Sequence, residues 1–179
     1  MSEGTGGFLH PEQIIEQLDI QSGAKVADFG CGRGYFAIPM AKKVGEDGIV
    51  YGLDVLPSAL EALQSQAEID ELSNVRGVHC NLETPNGAKL DDESLDLVLL
   101  ANILFQSQKK IEIIKESKRA LKSTGQLVIV DWIKGGDLTP KEGWFLSKEE
   151  AQSLSEAEGF IFDRELIMDS QHYGLVFKK

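Results

Sequence analysis

Cysteine and histidine are scarce in this sequence. Its 179 residues include two cysteines, Cys31 and Cys80, and three histidines, and these do not have the spacing of metal ligands. So few cysteines exclude a scaffold held together by disulfides and are typical of a reducing compartment. The sequence therefore predicts a cytoplasmic protein that holds no metal ion.

The sequence also lacks an excess of positive charge and a long hydrophobic run. It has 18 Lys and Arg residues against 29 Asp and Glu residues, which gives a net charge of −11. A chain of this charge has no general attraction to phosphate backbones. No stretch has the pattern of a signal peptide or the length of a membrane span. We therefore expect neither general nucleic-acid binding nor a place in a membrane.

What remains is the composition of an ordinary globular protein, 42% hydrophobic and 26% charged. A chain of 179 residues suits one domain. We expect a single domain over 1–179, in which 1–22 form an N-terminal segment and helix and 23–179 form an α/β core. Phe8, in the glycine-rich start of the chain, is a candidate to fold over a ligand.

Short apolar runs alternate with amphipathic stretches along the core. The runs predict strands at 25–29, 48–53, 75–80, 94–100, 126–132, 160–168 and 172–177. The amphipathic stretches predict helices at 35–44, 57–70 and 109–121, and a further helix opens at a capping-box pattern, Ser147 with Glu150. This alternation predicts a doubly wound, mostly parallel sheet. The last two strands are joined by a turn too short for a helical crossover, so we expect them to pair antiparallel.

The stretch 26–36, VADFGCGRGYF, organises the rest of the chain. A buried strand runs into three glycines at alternate positions, Gly30, Gly32 and Gly34, and a helix follows. Glycine permits positive φ and the close approach of a ligand, and a helix N-terminus adds free N–H groups and a positive dipole end. The dinucleotide fingerprint places its third glycine where Tyr35 stands here. The spacing therefore disfavours a pyrophosphate ligand.

Polar residues follow the other predicted strands at the edge where such a sheet binds its ligand. Asp54 follows the second strand, 20 places after Gly34, and its carboxylate can accept both ribose hydroxyls of an adenosine. Its alternative role is that of a helix N-cap, which Pro57 disfavours by placing the cap at Leu56. Asn81 follows the third strand and either contacts an adenine amino group or initiates a loop.

These motifs resemble those of the class I S-adenosylmethionine-dependent methyltransferases. The elements follow that family's order: Asp28 before the glycine loop, Asp54, Asn81-Leu82-Glu83, the run 95–102 and the segment 121–127. The resemblance implies a Rossmann-like, seven-stranded, mostly parallel sheet whose last strand is antiparallel. It also implies S-adenosylmethionine as the cofactor and methyl transfer as the activity. The acceptor is unidentified, with a small molecule favoured over a protein group or a site completed by a partner subunit.

The resemblance further implies which residues bind the cofactor. The glycine loop would hold the methionine portion, the acidic residue after the second strand would hold the ribose, and its neighbour would pack on adenine. The residues after the third strand would border the adenine, and those after the fourth would approach the sulfonium. In chain order, the expected contacts are Asp28, Gly30, Cys31, Gly32, Gly34, Asp54, Val55, Asn81, Leu82, Ala101 and Asn102. Many family members carry Asp where this chain has Asn81.

Two other functions stay open on the sequence. A NAD(P)-dependent oxidoreductase shares the fold class, but the chain lacks a Tyr-x-x-x-Lys pair and has the wrong glycine spacing. A non-catalytic protein that binds S-adenosylmethionine or a partner would carry the same glycine loop, because binding and transfer use the same residues. Turnover separates this second alternative from an enzyme, whereas cofactor binding alone does not.

His172 and Tyr173 are the candidate catalytic residues. A turn at 169–171 delivers them to the ligand edge of the sheet if the sixth strand runs parallel to the first five. Because successive side chains of a strand point to opposite faces, one of the two should face the methyl-transfer site. Histidine is suited to take a proton from an acceptor near neutral pH. The alternative is that both are edge residues of a hairpin.

Overall fold

The computed structural model describes residues 9–179, so Phe8 and the rest of residues 1–8 of the predicted N-terminal segment lie outside it. The strands within these residues are β1 Lys25–Phe29, β2 Ile49–Asp54, β3 Val75–His79, β4 Leu95–Ala101, β5 Leu121–Trp132, β6 Ile161–Glu165 and β7 His172–Lys178. The helices are α1 Pro11–Glu16, α2 Ala37–Val44, α3 Pro57–Ile69, α4 Lys110–Ala120 and α5 Lys148–Ala157, with a 3-10 turn at Leu104–Gln106.

The strands form one sheet in the order β3-β2-β1-β4-β5-β7-β6. β7 pairs antiparallel with β5 and with β6, and the other neighbouring strands pair parallel. The predicted fold is therefore confirmed, including the antiparallel last strand. The strand order reverses between β1 and β4, and in open α/β sheets the crevice at such a switch point is where ligands bind.

The central strands β1 and β4 carry buried apolar side chains on both faces because helices cover both faces of the sheet. On β1, Val26 packs with the helices α1, α2 and α3, whereas its neighbour Ala27 packs on the opposite face with α4 and α5. On β4, Leu97 and Val98 alternate in the same way. All four side chains are at most 3% exposed. Two apolar layers thus hold the strand ends of β1 and β4 in fixed positions.

β1 has the predicted boundaries, most other elements differ from the predicted ones by one to five residues, and tertiary contacts explain the larger differences. α2 begins at Ala37 rather than at residue 35, because Gly34 has a φ of +89° and its N–H closes a turn onto the carbonyl of Cys31. β6 ends at Glu165 rather than at residue 168. The reason is that the backbone of Ile167 bonds the side-chain amide of Gln17 at both its N–H and its carbonyl, at 2.7 and 3.0 Å.

β5 begins at Leu121, five residues before the predicted start, because Leu121 already pairs with Leu95 of β4 ahead of an irregularity in the register. The capping box of α5 is present, with the Ser147 hydroxyl accepting from the N–H of Glu150. Among the helices of residues 9–179, none combines the length and the apolar character that a membrane span needs.

Candidate functional site

The glycine loop after β1 is held in its shape by backbone bonds to β2. The N–H groups of Gly30 and Cys31 both donate to the carbonyl of Leu53, at 2.7 and 2.9 Å. Gly30 has a φ of +78°, and a Cβ added there would lie 2.6 Å from Cδ1 of Ile103. A side chain at this position would therefore be strained in its backbone and would also clash with the segment after β4.

Two cavities share Gly30 as part of their walls. The first, of about 410 Å³, lies on the β4, β5 and β7 side, and the second, of about 320 Å³, lies on the β2 and β3 side. The predicted residues in the first are Asp28, Gly30, Cys31, Ala101, Asn102 and His172. Those in the second are Gly30, Asp54, Val55, Asn81 and Leu82. The predicted set is thus split between two adjoining spaces, and Gly32, Gly34 and Tyr173 line neither.

Asp54 connects the glycine loop to the start of α3. One carboxylate oxygen accepts from the N–H of Gly32 and the other from the N–H of Leu56, both at 2.9 Å. The N-cap of α3 is Leu56, so Asp54 stands two residues before the cap position. Each carboxylate oxygen can accept a further hydrogen bond. Asp54 therefore has a structural role in the loop and free lone pairs at the wall of the second cavity.

The residues expected around adenine surround the same second cavity. Val55 is 59% exposed, so its side chain has an open face, whereas Leu82 is buried. The carbonyl of Val55 lies 3.0 Å from Nε2 of His79. The side-chain oxygen of Asn81 accepts from the N–H of Glu83, at 3.0 Å, which is the loop-initiating geometry. The amide nitrogen of Asn81 keeps two donors for a ligand in this cavity.

Asp28, at the end of β1, is a carboxylate that is buried at the wall of the first cavity. Only 2% of its surface is exposed. Burial raises the pKa of Asp28 from 3.8 to about 7, the N–H of Ala37 opposes this rise, and the nearby Asp54 adds to it. Burial likewise raises the pKa of the neighbouring Cys31 thiol, to which both carboxylates contribute. Cys31 is therefore a neutral thiol at neutral pH. A cation in the cavity would stabilise the ionised form of Asp28.

Asn102, directly after β4, lines the first cavity. Its φ of +54° is the left-handed conformation that Asn tolerates best after Gly, and its N–H donates to the carbonyl of Val130 at 2.8 Å. The side-chain oxygen of Asn102 is buried and has no hydrogen-bond partner among residues 9–179. A buried acceptor without a partner costs about 1–3 kcal/mol, so a ligand that donates to it would recover that energy.

His172, at the start of β7, is oriented by two neighbours. Its Nδ1 lies 3.0 Å from both carboxylate oxygens of Asp169, and its ring packs on Trp132 with the centroids 3.9 Å apart. Burial lowers the pKa of His172, and Asp169 opposes this effect. Its Nε2 is buried and has no partner within the described part of the chain. A third cavity, of about 640 Å³, adjoins the first at Trp132 and His172.

Tyr173 lies on the opposite face of the sheet from His172. Its ring belongs to the apolar layer that contains Phe29 and Leu127, and its hydroxyl is buried without a partner in residues 9–179. Burial raises the pKa of Tyr173. Of the two predicted catalytic residues, the structure therefore brings His172 to the first cavity and not Tyr173.

Sequence reasoning missed Asp169 as the partner of His172, and it did not assign a role to Trp132. Oδ1 of Asp169 accepts from the N–H groups of Gln171 and His172, at 2.7 and 3.0 Å. This is an Asx turn, and an Asp three residues before a strand is a local signal that could have revealed it. Leu138 was missed as well. Its N–H donates to the side-chain oxygen of Gln171 at 3.1 Å, which holds the loop after β5 over the first cavity.

No group of three or more His, Cys, Asp or Glu side chains within residues 9–179 is placed to hold a metal ion. The polar groups at the cavity walls are instead separate donors and acceptors: the carboxylates of Asp28 and Asp54, the amides of Asn81 and Asn102, and the imidazole of His172. Such an arrangement can bind an elongated ligand with a cationic group at Asp28, hydroxyl groups at Asp54 and a planar apolar end beside Leu82.

A family model described as a methyltransferase domain matches residues 20–171. The chain is similar to demethylmenaquinone methyltransferase of Bacillus mycoides, with 29% identity over 136 residues, 75% of this chain and 56% of that protein. For the protein of the same name from Listeria welshimeri the identity is 30% over 121 residues, 67% of this chain and 50% of that protein. The chain thus spans about half the length of the curated relatives it matches.

Solved structures show the same architecture. An S-adenosylmethionine-dependent methyltransferase from Aquifex aeolicus superposes with a TM-score of 0.84 at 24% identity, covering 93% of this chain and 88% of that one. An arsenic(III) S-adenosylmethionine methyltransferase from Chlamydomonas reinhardtii superposes with a TM-score of 0.69 at 25% identity, covering 88% of this chain and 63% of that one. The order and direction of the seven strands are therefore those of a known fold.

Proposed function

The chain belongs to the class I S-adenosylmethionine-dependent methyltransferases, and we propose that it transfers the methyl group of S-adenosylmethionine to a small-molecule acceptor. The observation that carries this proposal is the pair of cavities that share Gly30, because their walls hold most of the residues that a class I cofactor needs. The curated relatives named demethylmenaquinone methyltransferases support a small acceptor.

The donor and acceptor groups at the walls fit the cofactor. Asp28 would hold its ammonium group, and the loop from Gly30 to Gly34 would lie against its methionine portion. Asp54 would accept from the ribose hydroxyls with its remaining lone pairs, while Val55, Asn81 and Leu82 would surround the adenine. Asn102 and Ala101 would lie towards the sulfonium. When bound, S-adenosylmethionine supplies a methyl group that the positive sulfur has already activated.

The protein would contribute by positioning the acceptor. Holding the acceptor atom in line with the methyl group can lower the barrier by about 7–11 kcal/mol. The first cavity offers apolar walls for this purpose at Phe36, Trp132 and Leu138. The loop after β5, which carries Leu138, is fixed by the Gln171 side chain and by the N–H of Trp144, which donates to the carbonyl of Phe105 at 2.7 Å. An ordered wall of this kind keeps water from the reacting atoms.

We place the enzyme in the cytoplasm on the basis of its composition, because two buried free cysteines suit a reducing compartment. Residues 23–179 would act as one catalytic unit, since the strands that carry the proposed contacts all belong to one sheet.

Titration calorimetry with S-adenosylhomocysteine and with NAD tests the cofactor. S-adenosylhomocysteine should bind and NAD should not. Gly30→Ala should weaken this binding because its φ of +78° disfavours a side chain and its Cβ, 2.6 Å from Cδ1 of Ile103, would displace that side chain. Gly135→Ala is the matched control, since Gly135 also has a positive φ, +87°, but an added Cβ would meet no atom within 4 Å. Tighter binding of NAD than of S-adenosylhomocysteine would overturn the proposal.

Turnover is tested with methyl-labelled S-adenosylmethionine and a pool of small molecules from a cell extract. Label should appear in a low-molecular-weight product and should decrease in the Gly30→Ala variant. A protein that binds S-adenosylhomocysteine but labels nothing in extracts from several growth conditions would instead be a non-catalytic cofactor-binding protein.

A further inference from the structure

His79, the last residue of β3, holds the turn that follows the neighbouring strand β2. Its Nε2 lies 3.0 Å from the carbonyl oxygen of Val55. In the parallel register of β2 and β3, His79 stands opposite Asp54, so its ring contacts the residue directly after its partner. A carbonyl oxygen only accepts hydrogen bonds, so Nε2 carries a proton and donates it. The contact is therefore a hydrogen bond from an edge strand to the turn between β2 and α3.

This turn forms part of the wall of the second cavity. Asp54 and Val55 both line that cavity, and the side chain of Val55 has an open face. His79 is exposed on the edge strand and is not among the lining residues. A ligand in the second cavity would therefore feel His79 only through the position of the turn.

The turn is fastened to its surroundings on two sides. The carboxylate of Asp54 accepts from the glycine loop and from the start of α3. On the β3 side, the carbonyl of Asp54 accepts from the N–H of Cys80 at 3.0 Å, and the next carbonyl, that of Val55, accepts from His79. The imidazole thus extends the attachment to β3 by one residue beyond the end of β2, to the residue with the open face.

Folding stability does not account for this hydrogen bond. Both His79 and Val55 are exposed, and water can replace either partner, so the net contribution of the bond to folding is small. A wall that is already in place is more useful to ligand binding, because the ligand does not have to order it. Hydrogen bonds from residues behind a site are a common way to hold the binding groups in position.

We infer that His79 is a positioning residue for the cofactor, because its hydrogen bond to Val55 pre-organises the turn that receives the adenosine half of S-adenosylmethionine. This rests on the proposed function, in which Asp54 accepts from the ribose hydroxyls and Val55 lies beside the adenine. The methionine half would lie at Asp28 and the glycine loop. Its binding should not depend on His79.

Titration calorimetry with two ligands tests this inference. S-adenosylhomocysteine has both halves of the cofactor, whereas 5′-methylthioadenosine has the adenosine half and no amino-acid group. His79→Ala should weaken the binding of both ligands by the same factor, roughly two- to tenfold, which is the range that one hydrogen bond supplies. Asp28→Asn should behave differently and weaken S-adenosylhomocysteine far more than 5′-methylthioadenosine, since only the first has an ammonium group.

Two conservative variants and one control identify the hydrogen bond as the cause. His79→Gln should retain most of the affinity, because its amide nitrogen can take the place of Nε2 as a donor. The amide of His79→Asn lies nearer the place of Nδ1, so this variant should resemble His79→Ala. Arg76→Ala is the matched control on the same exposed strand. Its guanidinium donates to the carbonyls of Ser73 and Val75, at 2.7 and 2.9 Å, and its loss should leave both affinities unchanged.

The outcomes separate this inference from the proposed function. If the wild-type protein binds neither ligand, the proposed function is wrong. If it binds S-adenosylhomocysteine alone, or if His79→Ala binds both ligands as tightly as the wild type, His79 does not position an adenosine site. An equal loss in Arg76→Ala would mean that any change in β3 disturbs binding and would overturn the inference. A loss in His79→Gln as large as that in His79→Ala would also overturn it.

Discussion

Replacing Asp28 by Asn should make the protein more stable and, at the same time, weaken its hold on the cofactor. The pKa of Asp28 rises from 3.8 to about 7 because the carboxyl group is buried. At 1.36 kcal/mol for each pKa unit, this rise corresponds to a folding cost on the order of 4 kcal/mol when the group is ionised. Asn has nearly the same shape and carries no charge, so most of this cost should disappear in Asp28→Asn.

The sign of the pH dependence of folding stability follows from the direction in which the pKa of Asp28 is shifted. In the unfolded chain Asp28 loses its proton near pH 4, whereas in the native protein it does so near pH 7. Between these values the native state binds more protons, so its stability falls as the pH rises. The gain in Asp28→Asn should therefore be close to zero below about pH 4, grow between pH 4 and pH 7, and stay constant above pH 7.

Urea denaturation of both proteins at several pH values measures this difference. Asp131→Asn is the control, because Asp131 is buried as well and its pKa rises to about 6. Its two oxygens accept from the N–H groups of Phe105 and Trp132, and an amide NH₂ would face one of these donors. Asp131→Asn should therefore gain less than Asp28→Asn. The reasoning would be refuted if the gain in stability of Asp28→Asn did not change with pH. It would also be refuted if this variant bound S-adenosylhomocysteine with unchanged affinity.

Two further variants separate cofactor binding from folding. Asp54→Ala should destabilise the protein by about 1–3 kcal/mol and lower its melting temperature, because the N–H groups of Gly32 and Leu56 lose their acceptors. It should also lower the affinity for S-adenosylhomocysteine. A lowered melting temperature with unchanged affinity would mean that Asp54 is structural only. Ser147→Ala removes the capping box of α5 and should cost about 1 kcal/mol in thermal unfolding while leaving the affinity unchanged. A loss of affinity in Ser147→Ala would show that α5 contributes to the site.

The residues proposed to bind the cofactor could be predicted from the sequence because their signals are local. The glycine spacing at 30, 32 and 34 requires a particular backbone path, and the positive φ of all three glycines is what that spacing predicts. Asp54 and Asn81 could be located because each follows a strand directly. What the sequence left undecided was their hydrogen bonding. Asp54 accepts from Gly32, a partner 22 residues away, and nothing local in the sequence indicates that bond.

The placement of His172 and of the loop over the first cavity depended on contacts between distant segments. His172 could be placed at the ligand edge from the length of its turn, but which face it takes follows from its register with Trp132 across β5 and β7. The cover provided by Leu138 depends on a hydrogen bond to Gln171, 33 residues along the chain. Such long-range contacts arise only when the sheet has formed.

The sequence by itself determined the order and type of the elements, since hydrophobic periodicity and turn residues are properties of neighbouring positions. It also determined the positive φ angles of the three glycines in the loop. The tertiary structure decided where elements end, as at Ile167, whose backbone bonds Gln17 instead of continuing β6. It likewise decided the charge state of Asp28 and the unsatisfied nitrogen of His172, because burial and missing partners are properties of surroundings that distant parts of the chain supply.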